Sequence, residues 1–430
     1  MARFLVATMP VPGHVAPVAP IVSALVLRGH SVVWYGSRFF QRQIEATGAS
    51  FRPIVSTLDY GDSAYDTHFP ERARLTGLRQ VVFDFEHLFV GAVEGYVRDL
   101  RAIAAEFEPE VVVVDPGVAA GWVLEQVDGM RTATVNVSVL GLQSRDAAPF
   151  GLGLPPAAGL WGRCRNRALY WLVDHVLFRR VNRAFRSLAS RNGWPVTAVR
   201  PQAGRFLYLQ PSVPELEYAR SDLPPQVHVI GALLPDPPSD FTVPPWWVDV
   251  QAAREAGRPV VLVTQGTIAT NPEELITPTL NALESEDVLV VVAGAEAGRL
   301  PGVPANARVA PFVPFVPLMP LVDAFVTNGG YGGVMIALSH GVPVISGGTT
   351  EDKSEVGARV AYAGVGVNLK TNRPSPRQVK DAVRKLLDDP GFRDRARAIS
   401  ASLARYDAPT AAAALLEELA STSRPVLRAL

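Results

Sequence analysis

VDAFVTNGGYGGV, residues 322–334, runs from an apolar stretch straight into four glycines set around one tyrosine, and ALSHGVPVISGGTTEDK occupies 337–353. Glycine inside a regular element costs roughly 0.5–1 kcal/mol relative to alanine. Such a cluster therefore marks a turn, or a place where backbone approaches something closely. The apolar run before it and the helical pattern after it make a strand–turn–helix unit. The rest of the chain repeats that unit, and the repetition sets the fold class.

The chain has 430 residues, more than the roughly 250–300 at which a single core stops growing, so two domains are expected. Hydrophobic residues make up 48% and charged residues 19%, which is a globular composition. Lys+Arg and Asp+Glu are 41 each, so no global field draws in nucleic acid or an anionic membrane. The one cysteine, Cys164, cannot form an internal disulfide, which fits a reducing cytosol. The opening MARFLVATMPVPGHVAPVAPIVSALVL resembles a signal peptide, but Pro10, Pro12, Gly13, His14, Pro17 and Pro20 interrupt it. No run reaches the ~18–20 apolar residues of a membrane span. The expected location is cytoplasmic.

Strands are expected at RFLVAT (3–8), SVVWYG (31–36), FRPI, VVVVD (111–115) and TATVNV (132–137). Helices follow the first strand after a loop MPVPGHVAP, run over 38–47, and start again near 118. Continuous valine runs suit parallel strands covered on both faces. Residues 235–245, PDPPSDFTVPP, read as a stiff linker. Beyond it the alternation restarts with VVLVTQG (260–266), a helix near 273–283, VLVVVAG (288–294), AFVTN (324–328), a helix after Tyr331, PVIS and VGVNL. Three helical stretches close the chain over about 375–421. The expected class is α/β: two Rossmann-like, doubly wound domains facing across a cleft at their C-terminal strand edges, where ligands of open α/β sheets bind.

His14 lies after the first strand, at the mouth of that cleft, where an imidazole can serve as a general base or simply cap the helix. Asp115 ends a later strand at the same edge. Its carboxylate can orient and stabilise an imidazolium or cap the next helix. GGYGG lacks the G-x-G-x-x-G spacing of a dinucleotide fingerprint. No D-x-D triplet and no His/Cys cluster of metal-ligand spacing occurs, so neither a metal nor a cofactor is expected.

On these residues the chain resembles the two-domain GT-B glycosyltransferases, and within them the actinobacterial natural-product enzymes and plant UDP-glycosyltransferases. The match is strongest at 1–55 (GHVAPVAPIVSALVLRGHSVVWYGS) and 308–369. The resemblance implies an N-terminal acceptor domain over 1–231, a linker over 232–258 and a nucleotide-sugar domain over 259–407. A C-terminal helix over 408–430 then packs back toward the N-terminal domain. It implies His14 as the base that deprotonates the acceptor and Asp115 as its charge partner. On the donor side it implies Thr267 near the phosphates, the FVP segment (Phe312, Val313) stacking the base, and Asn328, Gly329, Gly330, Tyr331, Gly332 and Gly333 as the diphosphate loop at a helix N-terminus. Asp352 and Lys353 would grip the sugar.

Three positions depart from the family pattern. Asn328 stands where a histidine is usual, Ile336 where many UDP-sugar users carry a ribose-binding glutamate, and Lys353 where a glutamine is usual. Loss of the ribose carboxylate favours dTDP, which lacks a 2′-hydroxyl. Residues 161–186, WGRCRNRALYWLVDHVLFRRVNRAFR, hold seven arginines and one acid, Asp174. They read either as an amphipathic surface touching anionic lipid or as a helix pair walling the acceptor pocket. The expected activity is inverting, metal-independent transfer from a dTDP- or UDP-sugar to a small apolar acceptor, by a monomer or homodimer. The alternatives are a nucleotide-sugar epimerase, a lipid-linked sugar transferase or a non-catalytic auxiliary protein.

Overall fold

The computed structural model describes residues 1–61, 65–75, 77–195, 203–235, 241–266 and 271–428. Positions 236–240 of the proline-rich linker and Thr267 lie outside the described residues.

Seven parallel strands form the first sheet: β1 (Arg3–Ala7), β2 (Ser31–Gly36), β3 (Ser50–Pro53), β4 (Val111–Val114), β5 (Thr132–Val135), β6 (Leu207–Gln210) and β7 (Val227–Val229). Their order is β3-β2-β1-β4-β5-β6-β7. Six more form the second: β8 (Val260–Thr264), β9 (Leu289–Ala293), β10 (Ala307–Ala310), β11 (Ala324–Thr327), β12 (Val344–Ser346) and β13 (Gly366–Asn368), in the order β10-β9-β8-β11-β12-β13. Both sheets thus grow outward one way from their first strand and then reverse, which is the doubly wound topology. Every residue of β4, β8 and β9 is buried, because helices cover both faces, and all but Thr264 are apolar.

The first helix, Pro12–Leu27, begins earlier than its sequence suggests and takes His14 into its first turn. Pro12 sits where a helix has no use for an N–H. Pro17 and Pro20 each remove one internal bond but keep a helical φ, and the carbonyl freed by Pro17 belongs to the exposed Gly13. Gly29, at φ +85°, ends the helix as its left-handed stop. The short strands β6, β7 and β10 carried no clear sequence signal. At three or four residues they are too brief to show a period, and β7 and β10 lie at sheet edges.

The C-terminal edges of the two sheets meet. Tyr331 donates its hydroxyl to the Pro211 carbonyl at 2.5 Å, and Gly151 and Gly153 donate their amides to Glu355 at 3.0 and 2.8 Å. At the centre of this seam Arg359 is 1% exposed. It donates to Glu217 at 3.0 Å, Glu355 at 2.8 Å and the Leu140 carbonyl at 2.9 Å, and it lies 4.1 Å from the Tyr218 ring centre.

The last helix, Ala408–Thr422, leaves the second sheet and packs on Pro12–Leu27 under the first. Ala408, Ala412, Leu416 and Leu419 join the core of Phe4, Val15, Ile21 and Trp34. Glu417 reinforces the contact through Arg28 and His30, each at 2.6 Å. Leu416→Ala is therefore expected to destabilise the N-terminal domain by about 2–5 kcal/mol. Calorimetry checks this through a lowered first-domain transition; an unmoved transition would mean that the helix adds nothing to that core.

Candidate active site

Each sheet reverses strand order at one point, and each reversal opens a crevice. In the first sheet β1 and β4 are neighbours, ending at Ala7 and Val114. Asp115 follows β4 directly and is 1% exposed. One carboxylate oxygen accepts from the Met9 amide and the other from the Gly117 amide, both at 2.6 Å. Gly117 is needed there because any Cβ would run into the Met9 thioether. Two backbone donors therefore lock the carboxylate in rotation before it meets any side chain.

His14 reaches this carboxylate from the first helical turn. Its Nδ1 stands 3.0 Å from Asp115 Oδ1, but off the N–H direction, so Nδ1 makes no aligned hydrogen bond. The side chain is 24% exposed, and Nε2 makes no hydrogen bond among the described residues. Burial acts to lower the imidazole pKa, but Asp115 outweighs it, helped by Asp352 and Glu351 across the cleft, and the net shift is upward from 6.5.

In the second sheet β8 and β11 are the neighbours, ending at Thr264 and Thr327. Asn328 is buried, donates to the Gln265 carbonyl and accepts from the Gly330 amide at 3.3 Å. The amide side chain thus ties the two loops of the crevice together, a task that needs no charge. Gly329 has φ +91°, and a Cβ on it would come within 2.6 Å of Ser346 Oγ. The helix Tyr331–Ser339 then begins with no side-chain cap, and its first internal bond is from the Val334 amide. The amides of Tyr331, Gly332 and Gly333 are left pointing out of its N-terminus, where the helix dipole favours an anion. A Cβ on Gly332 would meet nothing within 4 Å, so the space above the turn is open. Gln265 Oε1 and Ser346 Oγ, both buried beside this loop, have no partner among the described residues.

Around these two crevices stand other residues singled out in the sequence. The Tyr331 hydroxyl donates to the Pro211 carbonyl at the domain seam, since a buried phenol needs an acceptor. The Val313 side chain is packed in the core, so only its backbone is free for a ligand. Its neighbour Phe312 is 73% exposed and offers an open ring face. Asp352 accepts from Ser138 Oγ of the first domain, and burial pushes its pKa upward. Lys353 is buried beside Gly329 with its ammonium 2.5 Å from Glu351. Ile336 is 8% exposed in the core cluster of the second domain. Sequence reasoning missed Ser138, Gln265, Glu351 and the Arg359 seam, since none lies in a spacing that points to a partner.

Residues 275–419 match the family described as erythromycin biosynthesis protein CIII-like, C-terminal domain. Over 427 residues the chain is 42% identical to 4'-demethylrebeccamycin synthase of Lentzea aerocolonigenes, covering 97% of this chain and 99% of that protein. It is 30% identical to UDP-glucosyltransferase A1 of Starmerella bombicola, covering 96% of this chain and 91% of that one. Among solved structures, the glycotransferase of kitacinnamycin aligns with TM-score 0.74 at 21% identity, over 97% of this chain and 98% of that one. Spinosyn rhamnosyltransferase complexed with thymidine diphosphate aligns with TM-score 0.69 at 21% identity, over 97% and 100%.

The electrostatics of the first crevice can be read directly by NMR titration of the His14 ring. The wild-type imidazole is expected to titrate above 6.5. In Asp115→Asn that carboxylate is gone and burial is opposed only by Asp352 and Glu351, so the midpoint should fall. An identical midpoint in the two proteins would contradict the pairing.

Proposed function

Because the chain belongs to the natural-product glycosyltransferases of GT-B architecture, we propose that it moves a sugar from a dTDP-sugar to a hydroxyl of a small, largely apolar acceptor, with inversion at the anomeric carbon. The observation that carries this reading is the opposition of the two crevices. A carboxylate-paired imidazole stands in one and an uncapped helix N-terminus in the other, close enough for Asp352 and Glu351 to raise the His14 pKa.

The acceptor oxygen gives its proton to His14 Nε2 as it forms a bond to the anomeric carbon. On the opposite face the bond from that carbon to the diphosphate oxygen breaks, and the electron pair leaves with the nucleotide. Asp115, held by the Met9 and Gly117 amides, keeps Nδ1 as the protonated nitrogen and balances the imidazolium as it forms. The amides of Tyr331, Gly332 and Gly333, with the dipole of their helix, take up the charge developing on the diphosphate. Phe312 stacks the base from its exposed face, and the sugar is assigned to Asp352 and Lys353. The charge is met by amides and no metal ion enters this accounting. Among the described residues no group of three or more His, Cys, Asp or Glu could hold one.

His14→Ala is expected to lower turnover by ~10²–10⁴ while leaving nucleotide affinity nearly intact, since the base and the donor loop belong to different domains. In the wild type kcat/KM should climb with pH until His14 is deprotonated, above the ordinary histidine range. Wild-type turnover by His14→Ala would end the general-base assignment.

The donor preference rests on Ile336. A ribose 2′-hydroxyl beside an isoleucine loses water and gains no partner, a penalty of roughly 1–3 kcal/mol, or about 5- to 150-fold in affinity. Spinosyn rhamnosyltransferase has been solved with thymidine diphosphate, whereas the fungal relatives are named UDP-glucosyltransferases, so the distinction needs measurement. Calorimetric titration with dTDP, dUDP and UDP separates sugar from base. The expected order has dTDP and dUDP tighter than UDP; equal binding of UDP and dUDP removes the isoleucine argument.

A further inference from the structure

The helix Gly159–Leu172 and the turn that follows it, Val173–Leu177, are built inside out. Their inward face is polar or small. Gly162 and Asn166 are the buried residues of the helix, Asn166 donates to the Arg145 carbonyl at 2.9 Å, and Tyr170 accepts from the Ser144 amide at 3.2 Å. Their outward face is apolar. Leu160, Trp161, Cys164, Ala168, Trp171, Leu172 and Val176 follow one another at helical spacing, and all are exposed, Trp161 at 89%, with one polar ring among them, His175, stacked on Trp171. Soluble helices carry the opposite pattern. Exposed arginines accompany the stripe: Arg163 and Arg167 on the helix itself, and Arg179, Arg180, Arg183 and Arg186 on the next one, Arg179–Asn192, with Arg163 paired to Asp146 and Arg180 to Glu86. The basic charge is local, because the chain as a whole is neutral.

We propose that this face docks on a lipid surface containing anionic phospholipid. Tryptophans at an apolar–polar boundary, flanked by arginines whose stems reach over lipid while their heads meet phosphate, are the composition of an interfacial helix. A second copy of the chain fits poorly. A two-fold contact of stripe on stripe would set Arg167, Arg179, Arg183 and Arg186 against their own symmetry mates, with Asp146 already paired to Arg163 and Glu86 to Arg180. Docking also places loop 141–158 at the lipid. That loop holds the helix through Ser144 and Arg145 and reaches the domain seam through Gly151 and Gly153. The cleft would then open beside the bilayer, where apolar molecules concentrate.

Flotation of the full chain with vesicles tests the proposal. Equimolar phosphatidylglycerol and phosphatidylcholine should carry the protein upward, and pure phosphatidylcholine should not. Raising salt from about 0.05 to about 0.5 M should release it, because the charges are screened. Trp161→Glu and Trp171→Glu should each weaken binding by about tenfold or more, and Arg167→Gln by about fivefold. Trp161→Tyr, which keeps an interfacial aromatic, should bind as the wild type does. No difference between the two vesicle types, or wild-type binding by Trp161→Glu and Trp171→Glu, would overturn the proposal. So would a dimer in vesicle-free solution that Trp161→Glu dissociates, which would make a second copy the occupant.

Discussion

One buried cation holds the two halves of the molecule in register. Arg359 belongs to the second domain, yet Glu217, the Leu140 carbonyl and the Tyr218 ring all belong to the first. Removing water from a guanidinium costs several kcal/mol, and only near-complete coordination offsets it. That coordination exists in one relative placement of the domains. A shift of the seam by a few ångströms would strand the charge, which makes the arrangement specific whether or not it adds net stability. Glu355 extends the constraint. It binds Arg359 with one oxygen and the amides of Gly151 and Gly153 with the other, so loop 141–158 is positioned by the same network.

What this seam positions is a pair of crevices that neither domain makes functional alone. Both sheets use the same strand order, so each reverses between its first and fourth strands and each opens at that edge. The chemistry placed at the two openings differs in sign. At β1 and β4 a fixed carboxylate raises the proton affinity of an imidazole. At β8 and β11 amides and a helix dipole wait for negative charge. Asp352 joins them physically through Ser138 and electrostatically through its effect on His14. Under the proposed transfer a general base and a leaving-group site must face each other across a reacting carbon, and two such topologies set edge to edge would supply that geometry.

The glycines of residues 329–333 serve this division unequally. Gly329 is required by its left-handed backbone and by the closeness of Ser346, whereas Gly332 has room for a side chain in the absence of any ligand. Only the open space above it, with the uncapped amides beneath, gives its missing Cβ a purpose. Asn328, in place of a charged residue, spends both ends of its amide on loop closure. Positive potential at this site therefore comes from the helix N-terminus rather than from a loop side chain, since Lys353 is paired with Glu351.

Much of this was legible in the residues themselves. Valine runs such as VVVVD and VLVVVAG announced buried parallel strands, because a strand covered on both faces has no polar positions to break its pattern. Their alternation with helices gave the doubly wound class, and the strand-end placement of His14, Asp115 and Asn328 gave the candidate site, since topology alone sends those positions to the cleft. Tertiary structure decided the rest. It sent the Tyr331 hydroxyl to Pro211 and packed the Val313 side chain in the core, because a side chain's direction depends on what the opposing domain presents. It assembled Arg359 with Glu217, residues 142 positions apart that no periodicity connects. It turned the apolar face of 159–177 outward, because Gly162 fits against Ala157, where any side chain would clash, and Asn166 reaches the Arg145 carbonyl. Local pattern fixes which elements form and where strands end; which partner each side chain meets is a property of the packed chain.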